Sequence, residues 1–252
     1  MNATHSEGPF ECLVVLGEST VQGGGWLAKL EDRWADVLAR LVETAQEQPL
    51  RYVNAGVGAS VIAPCSPGYA ASAKPSAAER LDREVIANRP DLLVIAYGLN
   101  DMRAGMALAD FRRELESLIA RVRASLNPLI VLANVYHMSD YRYYPPFDKG
   151  SVEATKAYNA MLADVAAARV CAYGDVWSAE GRRDYVVHPD TCHANKVGNM
   201  LIAHKVFEAV VHAAPGIVTN VRKRDETTQW TLRTAEMRSR GVEQSNKSAP
   251  GR

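Results

Sequence analysis

The chain alternates between two hydrophobic periods. Cys12 to Leu16 is an uninterrupted apolar run, as expected of a strand buried on both faces. From Trp26 to Thr44, Leu27, Leu30, Trp34, Leu38 and Leu41 recur every three or four positions and predict an amphipathic helix. Leu50 to Asn54 predicts a short second strand. Pro75 then opens a helix carrying Leu81, Val85 and Ile86, at a position where a first turn has no hydrogen bond to lose. Asp91 to Tyr97 is the clearest buried strand, and Phe111, Leu115, Leu118, Val122 and Leu126 mark the following helix. Pro128 to Val135 predicts a fourth strand. Val152 to Arg169 returns to helix, Val170 to Tyr173 to strand, and Asn195 to Ala213 to helix.

Strands and helices joined by single crossovers predict a parallel sheet covered on both faces. The expected fold is α/β, a flavodoxin-like three-layer α/β/α sandwich with a five-stranded parallel sheet. Residues 1–216 form this domain. Beyond Pro215-Gly216 the composition turns polar and basic, with Arg222, Lys223, Arg224, Arg233, Arg238 and Arg240. Residues 217–252 are expected to be a solvated, partly disordered tail. A sharper alternative is a short helix near Thr227 to Arg238 that docks on a partner subunit.

Composition narrows the function. Lys plus Arg number 29 and Asp plus Glu 29, so the formal net charge is zero. Neither nucleic acid nor an anionic membrane is an expected partner. No apolar run approaches a membrane span, and Met1 to Glu11 lacks the basic and apolar regions of a signal peptide. A cytoplasmic location is expected. Cys12, Cys65, Cys171 and Cys192 show no zinc-ligand spacing. No metal or other cofactor is expected, and the sequence leaves the oligomeric state open.

The candidate chemistry sits where strands end. Gly17-Glu18-Ser19 places a hydroxyl at the carboxyl end of the first strand, where open α/β sheets bind ligands. Ser19 equally suits a helix N-cap. The segment lacks the second glycine of a G-x-S-x-G elbow. Asn54-Ala55-Gly56-Val57-Gly58 follows the second strand, where a glycine lets a backbone N–H face a crevice. A dinucleotide fingerprint fails, because Val61 stands where a third glycine is needed. Asn100, after the strongest strand, offers a neutral donor for a developing oxyanion, or merely shapes a turn. Asp190 and His193 are three residues apart, so the carboxylate can orient the imidazole. His188 competes as a base, although the neighbouring Pro189 points to a role in shaping the loop.

In this order, Gly17-Glu18-Ser19, Asn54-Ala55-Gly56, Gly98-Leu99-Asn100-Asp101 and Asp190-Thr191-Cys192-His193 resemble the four blocks of the SGNH hydrolase (GDSL esterase/lipase) family. The resemblance runs from about residue 12 to 213. It implies that Ser19 is the nucleophile, His193 the base and Asp190 its partner. It also implies an oxyanion hole from the Ser19 N–H, the Gly56 N–H and the Asn100 side chain. Glu18 departs from the family's aspartate, and its longer side chain is expected either to shift the Ser19 rotamer or to redirect hydrogen bonds to the Gly98 to Asp101 turn.

The resulting expectation is a serine ester hydrolase acting on a small-molecule ester with a short acyl group, an O-acetylated carbohydrate being one candidate. Tyr136, Tyr141, Tyr143, Tyr144 and Phe147, on the loop after the fourth strand, suit either ring stacking on substrate or packing of the loop. A lysophospholipase or thioesterase-type acyl hydrolase is the nearer alternative. A non-catalytic flavodoxin-like module, gripping a phosphate or flavin with Gly56 to Gly58 and Gly23 to Gly25, is the alternative from another class.

Overall fold

The computed structural model describes residues 9–179 and 183–247. Five parallel strands, β1 (Cys12–Gly17), β2 (Arg51–Gly56), β3 (Leu92–Ala96), β4 (Leu129–Ala133) and β5 (Ala172–Gly174), lie in the order β2-β1-β3-β4-β5. This is the flavodoxin-like order. β1 is an interior strand, pairing Gly17 with Gly56 on one side and with Ala96 on the other. Its six residues are all buried, as its unbroken apolar run requires.

Helices cover both faces. They are α1 (Ser19–Gln22), α2 (Trp34–Gln46), α3 (Ala77–Glu84), α4 (Leu99–Arg103), α5 (Leu108–Ser125), α6 (Val152–Ala168), α7 (Val176–Ala179), α8 (Lys196–Ala213), α9 (Thr219–Glu226) and α10 (Gln229–Lys247). Ser76 starts α3 through a capping box with Glu79, and Asn195 caps α8 by accepting from Val197 N and Gly198 N. Among the described residues, no single helix is long and apolar enough to cross a membrane.

Two expectations are corrected here. The helix expected from Trp26 begins only at Trp34, after a 3₁₀ turn at Leu30–Asp32. The stretch before it is a loop, and Trp26 leaves the helical pattern for a tertiary contact described below. Second, the described residues after Gly216 are helical where an irregular tail was expected, and α10 covers most of the alternative helix near Thr227 to Arg238. Asn220 and Arg224 tie α9 to the end of α2 through Gln46 O and the Glu47 carboxylate. Trp230, Leu232 and Met237 of α10 nevertheless stay exposed. Residues 1–8 and 248–252, the ends of the polar N-terminal stretch and of the tail, lie outside the described residues.

Candidate active site

The carboxyl edge of the sheet gathers the predicted residues. Ser19 opens α1 directly after β1. Its Oγ lies 2.9 Å from His193 Nε2, and His193 Nδ1 lies 2.7 Å from Asp190 Oδ2. A carboxylate at Nδ1 selects the Nδ1–H tautomer, so Nε2 accepts the serine proton. Asp190 Oδ1 also accepts from the backbone N–H groups of Cys192 and His193, which fixes the loop around its own carboxylate. Burial raises the Asp190 pKa most strongly, but these N–H groups and His193 together hold it below the usual carboxylate range. His193 is shifted down: burial, joined by the Arg103 and His188 charges, outweighs the support of Asp190 for the imidazolium.

His188 is not the residue on the serine. Its Nδ1 accepts from Asp190 N at 3.1 Å and stands 3.3 Å from Asp190 Oδ2. It shapes the loop, as its neighbour Pro189 suggested.

Asn100 lies in α4 rather than in a plain turn, and its placement is built by several buried groups. Glu18 Oε1 accepts from Gly98 N at 2.9 Å and Leu99 N at 3.1 Å, and its Oε2 accepts from Asn100 N at 3.3 Å. The longer acid thus caps the α4 N-terminus, satisfying donors that a helix end leaves open. Gly98 permits the tight entry, with a φ of 131° that favours glycine. Burial and the nearby Asp101 charge push the Glu18 carboxyl up to about 8, against the pull of the three N–H groups.

One Asn100 Nδ2–H donates to Ser60 O at 2.9 Å, leaving the other amide hydrogen for the cleft. Ser60 Oγ meets Tyr97 Oη at 2.7 Å, and Tyr97 Oη accepts from buried Arg80. Arg80 also donates to Ala55 O and Gly17 O, tying together the carboxyl ends of β2 and β1.

Gly56 is the predicted donor that the structure places elsewhere. Its N–H donates to Asn54 Oδ1 at 3.0 Å, so that group is already occupied. A Cβ at Gly56 would run into the backbone of Val21 and Gln22, so glycine here serves the close approach of β2 to α1. Ala59 lines the cleft beside Ser19 and Asn100 instead. It has a φ of 55°, unusual for a residue with a side chain. Its N–H has no acceptor among the described residues. Sequence reasoning missed Ala59 because residue type does not reveal which N–H a turn exposes.

The cleft holds about 190 Å³ and is walled by Leu99, Arg103, Tyr143, Tyr144, Phe147 and Cys192. The aromatic loop therefore divides its work. Phe147 is buried, Tyr136 is buried, and the Tyr141 ring packs against His137 and Trp177. Tyr143 and Tyr144 are 55% and 54% exposed at the cleft rim, where their rings pack on each other at 4.5 Å between centroids and Arg103 lies over the Tyr143 ring.

Apart from Gly25, which faces open space, the glycines expected to grip a phosphate or flavin are filled by the protein itself. Gly58 N–H donates to Gln22 Oε1 and Val57 N–H to Gly17 O. The space at Gly23 is taken by Arg33 and that at Gly24 by Trp26. Among the described residues, no cluster of three or more His, Cys, Asp or Glu could hold a metal ion.

Comparison with solved structures gives the same fold. TesA superposes with a TM-score of 0.64 at 19% identity, over 81% of this chain and 99% of its own. Axe2, an acetylxylan esterase from Geobacillus stearothermophilus, gives 0.62 at 18%, over 81% and 95%. The lipase/acylhydrolase from Enterococcus faecalis gives 0.62 at 20%, over 79% and 95%. No curated protein sequence matches significantly. The model of the GDSL-like lipase/acylhydrolase family matches residues 15–201. That match begins within β1, just ahead of Ser19, and reaches into α8 beyond His193, and the chain accordingly belongs to the GDSL-like lipase/acylhydrolase family.

Proposed function

We propose that the protein is a serine ester hydrolase whose Ser19, His193 and Asp190 form a catalytic triad. The observation carrying this reading is the continuous line of contacts from Ser19 Oγ to His193 Nε2 at 2.9 Å and from His193 Nδ1 to Asp190 at 2.7 Å. Ser19 Oγ attacks the ester carbonyl carbon while its proton passes to His193 Nε2. The carbonyl oxygen becomes an oxyanion, held by the Ser19 N–H, the Ala59 N–H and the Asn100 side chain. Collapse breaks the bond to the leaving alkoxide, which takes the proton from His193. Water then gives its proton to His193 and attacks the acyl-enzyme, releasing the carboxylic acid and Ser19.

Two consequences can be measured. Asn100→Ala removes a donor aimed at the oxyanion and is expected to lower kcat by about 10²–10³-fold with KM little changed. A loss below about threefold would remove Asn100 from the hole. Catalysis also requires neutral His193, and burial disfavours its charged form. The acid limb of kcat/KM is therefore expected to fall below the 6.5 of an ordinary imidazole. A midpoint at or above about 7 contradicts a desolvated base.

The substrate proposed is a small short-chain acyl ester. A cleft of about 190 Å³ suits an acetyl-sized group, and the exposed Tyr143 and Tyr144 rings suit a sugar as the alcohol portion. The structural likeness to an acetylxylan esterase supports this choice. A p-nitrophenyl ester series tests it. kcat/KM is expected to be highest for acetate and to fall with acyl length. Preference for octanoate would instead favour the lysophospholipase or thioesterase-type reading. A cytoplasmic setting remains part of the proposal, resting on composition alone.

A further inference from the structure

Trp26 stacks face to face on His193, with ring centroids 3.6 Å apart and planes 9° from parallel. Nothing in the triad requires this contact, yet the local sequence is built to make it. Gly23, Gly24 and Gly25 turn the chain after α1. A Cβ on Gly24 would overlap the six-membered ring of Trp26, so only glycine lets the indole fold back over the imidazole. Leu27 is buried beside it and anchors the loop. Gly23 is packed on Arg33, which is itself paired with Asp36. The hydrophobic pattern that wrongly extended α2 back to Trp26 is broken by this requirement.

We propose that Trp26 is a positioning residue for the general base, holding the His193 ring in the plane that joins Ser19 to Asp190 and stabilising the imidazolium formed there. This inference rests on the reading of His193 as the base. The groups facing His193 are Ser19 at Nε2, Asp190 at Nδ1, and, through their charges, His188 from the same loop and Arg103 from α4. These groups hold the two ring nitrogens or act on the ring through charge, whereas Trp26 stacks on the ring face. An aromatic face attracts a cation more strongly than the neutral ring, so the contact strengthens as His193 takes the serine proton. It also resists rotation of the ring about its bond to Cβ, which would break both nitrogen contacts together.

Trp26→Leu and Trp26→Phe separate this role from simple packing. Leucine keeps apolar cover but removes the π face, whereas phenylalanine retains it. In W26L the His193 titration midpoint, followed by NMR of the imidazole, is expected to fall by about half a unit to one unit. kcat is expected to drop about three- to tenfold in step with it, with KM held within about twofold. W26F is expected to keep most of both. Should W26L fold poorly, W26M makes the same comparison with a longer, unbranched and more adaptable side chain. An unchanged midpoint in the leucine or methionine variant overturns the proposal, whether or not kcat falls. His193→Ala serves as the control: full activity there would defeat the underlying assignment of the base, whereas an inactive H193A beside a wild-type-like W26L defeats only the role of Trp26.

Discussion

Ser19→Ala is expected to reduce kcat on p-nitrophenyl acetate by about 10⁵–10⁶-fold while leaving the protein folded. The size follows from losing the attacking atom, because no acyl-enzyme forms and the remaining donors act only on water's direct attack. The fold survives because, among the described residues, the Ser19 hydroxyl makes one hydrogen bond, to His193 Nε2, at a partly exposed position. Buried β1 and the cap that Glu18 places on α4 do not involve the hydroxyl. Labelling by a fluorophosphonate reports the same event without assuming a substrate, since it needs only an activated serine. Wild-type protein is expected to label and S19A to stay blank, with matching thermal melts. Turnover or labelling that persists in S19A would assign the nucleophile elsewhere.

Asp190→Asn carries the second largest expected effect, about 10³–10⁴-fold in kcat with KM nearly unchanged. The isosteric amide keeps an oxygen for the backbone N–H groups of Cys192 and His193, so the loop retains its shape. What changes is the partner at His193 Nδ1, 2.7 Å from the present carboxylate oxygen. An amide NH₂ there donates, which forces the proton of neutral His193 onto Nε2. That nitrogen then faces Ser19 as a donor and cannot take its proton. The imidazolium also loses its counter-charge. A D190N enzyme within about tenfold of wild type would show that the tautomer is set by something other than Asp190.

Both expectations rest on groups that were legible as residue types and spacings. Asp190 and His193 fall within one turn of chain, and Ser19 follows an unmistakable buried strand. Alternation of buried strands and amphipathic helices was enough to reach the layered α/β architecture; the β2-β1-β3-β4-β5 order agrees with the flavodoxin-like expectation but is not encoded in that alternation. The expectation that Glu18 would redirect hydrogen bonds to the Gly98 to Asp101 turn matches the cap it forms on α4.

The failures share one cause. Gly56 and Ala59 are three residues apart in the same turn, and glycine seemed the natural donor. Which N–H remains open depends on side chains arriving from elsewhere: Asn54 takes the Gly56 N–H and Gln22 the Gly58 N–H. Trp26 continued a helical period convincingly, but the imidazole that claims its ring lies far along the chain. The polar, basic residues after Gly216 suggest a tail or a helix near Thr227 to Arg238; α10 covers most of that helix, whereas α9 gains contacts to the end of α2 that local composition does not encode.

By itself, then, the sequence determined the layers, the parallel sheet and the placement of Ser19, His193 and Asp190 at its rim, because periodicity and strand-end placement are properties of neighbouring residues. Only the tertiary structure decided which backbone donor stays free, how Glu18 and Arg80 seat Asn100, and that an indole covers the base. Each of these is settled by groups distant in the chain competing for the same hydrogen bond or the same space.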